Sequence, residues 1–319
     1  MSNLEKHPVE LEEVSTGSTG GISVLEPRDV PLGGPRAMNV RRTLPQRSRS
    51  LIGAWCFIDH YGPDLVAEKG GMVVPPHPHT GLQTVSWLFA GEIEHRDSVG
   101  SLAPVRPGEL NLMTAGSGIA HSEVSTPATT TLHGAQLWVA LPDSARNGQP
   151  AFESYAPQQF AHGSATVRVF IGELAGGASP VEMFTRMLGA QVDLPAQSSV
   201  TFEVDEAFEH GVLVDAGDVS VDSVPVPLSH LAYVPTGRST VTIATGAEPA
   251  RLLLLGGEPL GERIVMWWNF IGRTHEEIVE YRDAWQREDG TGRFGSVDYD
   301  GARLPAPELP VNVRLSPRG

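Results

Sequence analysis

Two histidines one residue apart, in His77-Pro78-His79, precede a run of short β-strand patterns that leads to His121-Ser122-Glu123. Side chains at positions i and i+2 of a β-strand leave the same face of a sheet, so each pair offers two donor atoms to one point. Two such strands lying side by side would form a pocket of three imidazoles and one carboxylate. The sequence therefore predicts a mononuclear metal site with the ligands His77, His79, His121 and Glu123.

This ligand set favours a divalent first-row metal. Imidazole and carboxylate donors suit Fe(II), Mn, Ni, Co, Cu(II) and Zn, and no thiolate stands near them to favour copper(I) or a structural zinc site. Among these metals, Fe(II) is the one we expect to be bound. An octahedral ion with four protein ligands would keep two coordination positions for water, dioxygen or substrate. Glu123 could also accept a proton from a bound hydroxyl group, which would give it a catalytic role.

Other histidines compete with this interpretation, because the chain has 11 of them and some close pairs arise by chance. His95 is a competing ligand, but its charged neighbours favour a polar network at the end of a strand. We interpret His60, His133 and His210 as structural residues.

Three further residues are candidates for the substrate pocket or for orienting the ligands. Gln83 follows His79 closely, and Gln136 and Trp138 lie on a later predicted strand. Side chains behind the ligands fix the orientation of metal-bound imidazoles. A surface position for Gln83 and ordinary strand packing for Trp138 explain these residues equally well.

The composition indicates an all-β protein. The 319 residues include 35 glycines and 26 prolines but only 7% aromatic residues, which is typical of many turns and short strands. A formal net charge of −15 argues against binding to a nucleic-acid backbone, which requires clustered cations. No signal core or membrane span of about 20 apolar residues is present, and Cys56 alone cannot form an intrachain disulfide. We expect a cytoplasmic monomer.

Turn residues divide the chain into four predicted segments. Residues 1–20 form a flexible acidic tail, and short apolar runs between glycines and prolines predict a first β domain over residues 21–150. After a loop, the pattern restarts in a second β domain, residues 151–272, which lacks the His-x-His pair. In the first domain, residues 84–89 and 93–97 are predicted to form a hairpin.

The last segment, residues 273–319, is predicted to contain a short helix and an extended arm. Thr274-His275-Glu276-Glu277 matches a capping box, in which Thr274 caps the first turn and Glu277 reaches back. Ile278, Tyr281 and Trp285 then form one apolar face that should pack on a β-sandwich. The remaining residues are rich in proline and have no helical period.

Over most of the first domain the sequence resembles the pirin family of bicupins. The resemblance rests on the stretches HPHTGLQTV (77–85), GEIEHRDS (91–98), RPG (106–108), MTAGSGIAHSE (113–123) and HGAQLWV (133–139). The run LLLLGGEPL (252–260) resembles the end of that family's second cupin. In ordinary cupins the last histidine ligand falls near Asn111, whereas pirins take the ligand pair from the next strand, which maps onto His121 and Glu123.

The resemblance implies two tandem cupin domains, which are jelly-roll β-sandwiches, with a metal, usually iron, only in the N-terminal one. It also implies two kinds of function. Some pirins open flavonols such as quercetin with dioxygen, in which case Glu123 would take the proton of a flavonol hydroxyl. Others act through protein partners, as transcription co-regulators or as modulators of metabolic enzymes.

The second kind of function, a metal-dependent redox-sensing regulator, has one sequence feature in its favour. Arginines are clustered in an otherwise acidic chain and could form a docking patch for a protein partner; they are Arg36, Arg41, Arg42, Arg47 and Arg49. Pairing of these arginines with the chain's own carboxylates explains the cluster equally well.

Overall fold

A computed structural model of the chain describes residues 21–32, 38–287, 292–309 and 314–317. The predicted tail, residues 1–20, and Arg36 lie outside the described residues. In the described part of the chain, the fold is almost entirely β, with short strands joined by glycine and proline turns, as the composition predicts.

The first half of the chain supplies the following elements: β1 (Ser23–Leu25), β2 (Arg28–Leu32), β3 (Met38–Leu44), β4 (Trp55–Leu65), α1 (Val66–Lys69), β5 (Val73–His79), β6 (Leu82–Ala90), β7 (Ile93–Asp97), β8 (Leu102–Val105), β9 (Leu110–Thr114), β10 (Ile119–Ser125), β11 (Thr131–Ala140) and β12 (Ala151–Tyr155). A seven-stranded sheet in the order β12-β9-β6-β11-β4-β3-β2 faces a four-stranded sheet in the order β5-β10-β7-β8. This arrangement is the jelly roll expected of the first cupin.

The second half supplies these elements: β13 (Phe160–His162), β14 (Ala165–Ile171), β15 (Glu173–Leu174), β16 (Gly177–Ala178), β17 (Met187–Leu194), β18 (Ser199–Glu203), β19 (Glu209–Ala216), β20 (Val219–Val221), β21 (Val224–Val226), β22 (Leu231–Val234), β23 (Thr240–Thr245), β24 (Ala250–Gly257), β25 (Val265–Trp267), β26 (Phe270–Gly272) and α2 (His275–Arg287). A seven-stranded sheet, β1-β22-β19-β24-β17-β14-β13, faces a four-stranded sheet, β18-β23-β20-β21. The two predicted cupin domains are therefore present.

Strands are exchanged near the predicted domain limits. β1 pairs with β22 of the second domain, and β12 pairs with β9 of the first. The limits at residues 21, 150 and 151 remain predictions, because edge strands at both limits join the sheet of the other domain. This exchange ties the two sandwiches together through main-chain hydrogen bonds.

The predicted hairpin between residues 84–89 and 93–97 is wrong. β6 and β7 do follow each other across a turn at Gly91, but β6 pairs with β9 and β11, whereas β7 pairs with β8 and β10. The turn carries the chain from one sheet of the sandwich to the other. Strand periodicity predicts each strand but not its partner, since pairing depends on the jelly-roll topology.

The two domains meet sheet to sheet through an apolar interface. Val85 and Leu137 from the outer face of the first seven-stranded sheet pack in one buried cluster with Leu213 and Leu253 of the second. Burying one such side chain contributes about 1.5–3 kcal/mol relative to leaving it exposed. The outer face of β6 is therefore as buried as its inner face over most of the strand.

The C-terminal segment returns to the first domain. The backbone N–H of Ile271 in β26 donates to the carbonyl of Thr80, directly after His79, at 3.0 Å. Gly81 permits this contact, because it has a φ of +68° and a Cβ there would lie 2.3 Å from the Ile271 carbonyl oxygen. The second half of the chain thus touches the end of the strand that carries the histidine pair.

Helix α2 forms as predicted and rests on this C-terminal segment. The Thr274 hydroxyl accepts a hydrogen bond from the Glu277 N–H at 3.2 Å, and Ile278, Tyr281 and Trp285 are its buried residues. Its apolar face shares a cluster with residues of β25, β26 and β10. The described residues after the helix contain no strand or helix, as predicted for an extended arm. Neither helix in the described part of the chain is long and apolar enough to cross a membrane.

Candidate metal centre

The two histidine-bearing segments lie on neighbouring antiparallel strands. β5 ends with His77 and His79, and β10 carries His121 directly opposite His77. Residues that face each other across two strands point to the same side of the sheet, and so do positions i and i+2. All three side chains are fully buried, and one ring nitrogen of each lies within 4.8 Å of the others. The structure therefore brings together three of the four predicted ligands.

Backbone carbonyls fix the protonation of two of these rings. Nδ1 of His77 lies 2.9 Å from the carbonyl oxygen of Pro75, and Nδ1 of His79 lies 3.2 Å from that of Asn269. A carbonyl only accepts, so Nδ1 of each neutral ring carries the proton and Nε2 keeps its lone pair. Nε2 of His77 has no hydrogen-bond partner among the described residues, so its lone pair is available to an ion.

The third ring is oriented by a relay across the next strand. Nε2 of His95 donates to the Asp97 carboxylate at 3.1 Å, which leaves Nδ1 of His95 as an acceptor. This atom lies 3.4 Å from Nδ1 of His121, which can donate to it and keep its own Nε2 unprotonated. The polar network predicted at His95 is present, and it supports His121 from behind.

The three-histidine cluster fits a divalent cation. Burial lowers the pKa of His77 to about 3 and holds the pKa values of His79 and His121 well below their ordinary range, so the rings are neutral. Nε2 of His79 and Nε2 of His121 are 3.1 Å apart. Adjacent ligands of an octahedral ion with bonds of about 2.1 Å lie about 3.0 Å apart. Two lone pairs at this distance repel each other unless a cation lies between them, so these residues could hold a metal ion.

Glu123 belongs to a second group that overlaps the first. Its carboxylate clusters within 4.8 Å of ring nitrogens of His95 and His121. A β-bulge between His121 and Glu123 shifts the register. Glu123 therefore pairs with Val74 of β5 and not with the residue two positions before His77, as an unbroken antiparallel register would require. Glu123 is fully buried and accepts a hydrogen bond from the Ser86 hydroxyl at 3.3 Å. The bulge therefore sets the position of the Glu123 carboxylate beside the histidines.

A row of polar side chains crosses the inner face of the seven-stranded sheet, beside Glu123. Cross-strand pairing aligns Asp59, Gln136, Ser86 and Asn111 on β4, β11, β6 and β9. The Ser86 hydroxyl has one proton and lies 2.9 Å from the amide oxygen of Gln136, so it donates either to Gln136 or to Glu123. The Gln136 amide nitrogen is buried and has no hydrogen-bond partner among the described residues. A buried donor of this kind is available to a bound molecule.

Trp138 shares the inner face with Gln136, because the two residues are two apart on β11. Its ring packs edge-on against His79, with 5.1 Å between ring centroids, and stacks on Phe57 at 4.0 Å. Trp138 therefore forms a wall beside the histidines while it also packs as an ordinary strand residue.

Gln83 is not brought to the cluster. It lies three positions from Ser86 on β6, so strand alternation turns its side chain to the outer face. There its amide nitrogen donates to the Thr114 hydroxyl at 2.9 Å and contacts the Glu182 carbonyl of the second domain at 3.4 Å. The prediction that Gln83 lines the pocket is wrong, and so is the surface alternative, since the residue is buried.

Another buried group of potential ligands joins the two domains. Asp215 of β19 has one carboxylate oxygen 2.7 Å from Nε2 of His60 and 2.6 Å from Nε2 of His133, while Arg251 donates to the other oxygen at 2.6 Å. These distances are shorter than the about 3.0 Å between ligands of one ion, and the Arg251 charge disfavours a second cation. We interpret the group as a buried ion pair of Asp215 with Arg251 that His60 and His133 of the first domain contact, in agreement with a structural role for the two histidines.

Two arginines of the predicted patch pair with carboxylates of the chain itself. Arg42 is buried and forms a two-pronged pair with Asp59, at 2.7 and 2.8 Å. Arg49 lies over the Tyr233 ring and pairs with Glu209 at 3.3 Å. Pairing with the chain's own carboxylates therefore explains these arginines, and a protein partner remains a prediction.

Sequence reasoning missed two residues of this site. Ser86 could have been found from strand alternation, because it lies two positions from Thr84 and opposite Gln136. Asn269 lies 190 residues from His79 and acts through its backbone carbonyl, which every residue type possesses. No sequence signal could have marked it.

Comparison with known proteins agrees with this geometry. The family described as Pirin matches residues 37–139, and the Pirin C-terminal cupin domain matches residues 189–295. The chain is 42% identical over 288 residues to a protein of Pseudomonas aeruginosa named "Putative quercetin 2,3-dioxygenase PA1205", covering 90% of each chain.

Solved structures show the same fold. A quercetin 2,3-dioxygenase from Acinetobacter baumannii is similar with a TM-score of 0.86 at 38% identity, over 93% of this chain and 98% of that one. The bacterial pirin YhhW from Escherichia coli, solved in complex with nickel(II), has a TM-score of 0.56 at 18% identity, over 75% and 99% of the two chains. The extent of these matches, across both cupin domains, places the chain in the pirin family.

Proposed function

We propose that this chain is a metal-dependent oxygenase of the quercetin 2,3-dioxygenase type, which opens a flavonol-like substrate with dioxygen. The observation that carries the proposal is the convergence of three buried, neutral imidazoles beside a buried carboxylate. A structural role does not require three Nε2 lone pairs turned toward one point, since buried polar atoms are otherwise paired. The names of the relatives at 42% and 38% identity support the choice of reaction.

His77, His79 and His121 would hold the metal, with Glu123 as the fourth ligand, and iron(II) is the metal we expect. Manganese, nickel, cobalt, copper(II) and zinc suit the same donors. When bound, the ion would supply Lewis acidity and, for a redox-active metal, electron transfer to dioxygen. The carbonyls of Pro75 and Asn269 keep two of the imidazoles in the tautomer that such a role needs.

Glu123 is the base in this proposal. A flavonol hydroxyl must lose its proton before the ring reacts with dioxygen, and a carboxylate beside the imidazoles can accept that proton. The Ser86 hydroxyl can donate to Glu123 and so keeps one carboxylate oxygen oriented while the other receives the proton. The Gln136 amide oxygen, 2.9 Å from Ser86, is the alternative acceptor of the Ser86 proton, and Trp138 supplies an apolar wall for an aromatic substrate.

The first experiment measures metal content. His77→Ala, His79→Ala and His121→Ala should each reduce the bound metal to about one tenth of the wild-type amount or less, because even lost supporting contacts cost 10- to 100-fold in affinity. His230→Ala is the matched control, since His230 lies in the second domain and its Nδ1 contacts the nearby Leu228 carbonyl at 2.9 Å. Full metal occupancy in all three variants would refute the site.

The second experiment measures turnover. Protein loaded anaerobically with each first-row metal should, on mixing with quercetin and air, consume the flavonol and release carbon monoxide. Glu123→Gln should lower kcat by about 10²–10⁴, the usual contribution of a general base. Glu94→Gln is the control, because Glu94 lies on the adjacent strand β7 and pairs with Arg96 near the surface. If no metal supports flavonol loss, the dioxygenase function is excluded.

A further inference from the structure

Tyr61 carries a buried hydroxyl group that has no role in the proposed reaction. The side chain is fully buried in β4, and its hydroxyl has no hydrogen-bond partner among the described residues. Leaving a buried polar group unpaired is unfavourable, so such groups need an explanation. Phenylalanine would fill the same space without this cost.

The Tyr61 side chain lies on the inner face of the seven-stranded sheet of the first cupin. Tyr61 is two residues from Asp59, so it shares the inner face with the polar row that contains Gln136. Its ring belongs to an apolar cluster with Val74, the residue of β5 that pairs with Glu123. The phenol therefore lies on the same inner surface as the proposed base.

Gly134 makes room for this hydroxyl. It faces Tyr61 across the β4–β11 pair, and a Cβ at this position would lie 2.9 Å from the Tyr61 oxygen. The same Cβ would lie 2.7 Å from a Leu88 methyl group and 2.7 Å from the Trp87 carbonyl oxygen. Any larger residue would have to displace the phenol or its neighbours.

The phenol is a donor in the folded protein. Burial raises the pKa of Tyr61 well above its ordinary value, and the negative charges of Glu123 and Asp59 raise it further. A protonated phenol in an apolar wall has one hydrogen to give and seeks an acceptor oxygen.

We propose that Tyr61 is a substrate-binding residue whose hydroxyl donates a hydrogen bond to a carbonyl oxygen of the bound molecule. This inference rests on the proposed function and specifies its substrate class. Glu123, an acceptor, selects an acidic hydroxyl group, whereas the Tyr61 hydroxyl and the Gln136 amide nitrogen are donors and select an acceptor oxygen on the same molecule. An aromatic molecule that carries both a hydroxyl group and a ketone, such as the flavonol of the proposed reaction, meets both requirements.

The test compares a ligand that has the ketone with one that lacks it. Quercetin has a 3-hydroxyl beside a 4-ketone, whereas catechin lacks both the ketone and the 2,3 double bond, so its 3-hydroxyl is an ordinary alcohol. Dissociation constants are measured without air on metal-loaded wild type, on Tyr61→Phe and on Tyr233→Phe. Tyr233 is the matched control, because its hydroxyl donates to Glu209 in the second domain. Metal content is measured in parallel to show that the centre is intact.

Tyr61→Phe should weaken quercetin binding about 2- to 13-fold, the equivalent of one neutral hydrogen bond, and leave catechin binding and metal content unchanged. Tyr233→Phe should change neither affinity. Equal losses for both ligands, no loss for quercetin, or a wild type that binds no quercetin would each overturn the role of Tyr61. Tyr61-dependent binding without any turnover in air would support Tyr61 as a ligand contact and refute only the dioxygenase activity.

Discussion

Replacing Asp215 by Asn tests the buried link that this carboxylate forms between the two cupins. Asp215 is fully buried, and its carboxylate contacts two histidines of the first domain and Arg251 of its own domain, at 2.6–2.7 Å. Asparagine keeps the shape but loses the charge, and its NH₂ group must face one of these donors. Because all three contacts depend on one carboxylate, the substitution should weaken the contact between the two domains.

The expected loss in the free energy of unfolding is about 3 kcal/mol. Removing one partner of a buried charged pair costs about 3–5 kcal/mol, mainly because the remaining charge is left without compensation. We take the lower end, since the Arg251 side chain is 29% exposed and can recover part of its hydration. His60 is neutral, since burial lowers its pKa, and its side chain is 1% exposed, so it contributes a buried hydrogen bond to the loss and no charge.

Urea unfolding of metal-free protein is the assay, because bound metal would add its own stabilisation. Asp218→Asn is the control: this residue is exposed near the same strand and should change stability by less than about 0.5 kcal/mol. A loss below about 1 kcal/mol for Asp215→Asn would refute the reasoning, because it would show that the contacts contribute little beyond a surface pair.

The link also predicts how wild-type stability depends on pH. Burial alone would raise the pKa of Asp215, but hydrogen bonds from His133 and His60 lower it well below the ordinary range. Burial lowers the pKa of His60. Both folded pKa values lie below the unfolded ones, so stability is present at neutral pH and is lost as the pH falls, first below about 6.5 for His60 and then below about 3.9 for Asp215. In the Asp215→Asn variant, the loss of stability below about pH 3.9 should be absent.

Three further predictions concern packing in the first cupin, the Tyr61 hydroxyl compared with its control in the second cupin, and metal binding. Gly134→Ala should destabilise the protein by about 1–3 kcal/mol in urea unfolding, because the added methyl group overpacks the β4–β11 pair, and an unchanged midpoint would contradict this packing. Tyr233→Phe should lower the free energy of unfolding by about 1 kcal/mol, because the hydrogen bond to Glu209 is lost. Tyr61→Phe should leave the free energy of unfolding unchanged or raise it. Equal losses in the two variants would mean that the Tyr61 hydroxyl is paired. Iron(II) at 100 times its Kd should stabilise the wild type by about 2.7 kcal/mol in thermal unfolding but not His121→Ala, and an equal shift in both would place the metal elsewhere.

Much of the fold was predictable because its signals are local. Strand periodicity and turn residues predicted an all-β chain with two domains, and the capping box at Thr274 predicted the start of α2. The β6–β7 hairpin failed for a physical reason: a turn fixes the direction of the chain but not the sheet that the next strand joins. Gln83 failed because its assignment rested on closeness in sequence to His79, whereas strand alternation turns the side chain to the outer face.

The sequence by itself determined the donor atoms of the centre, since spacing of two along a strand places His77 and His79 on one face whatever the surroundings. Only the tertiary structure decided how those donors are used. The bulge that displaces Glu123, the Asn269 carbonyl that fixes the tautomer of His79, and the unpaired Tyr61 hydroxyl each depend on contacts between strands far apart in the chain. Local spacing encodes which face a side chain occupies, but pairing across sheets decides what that face meets.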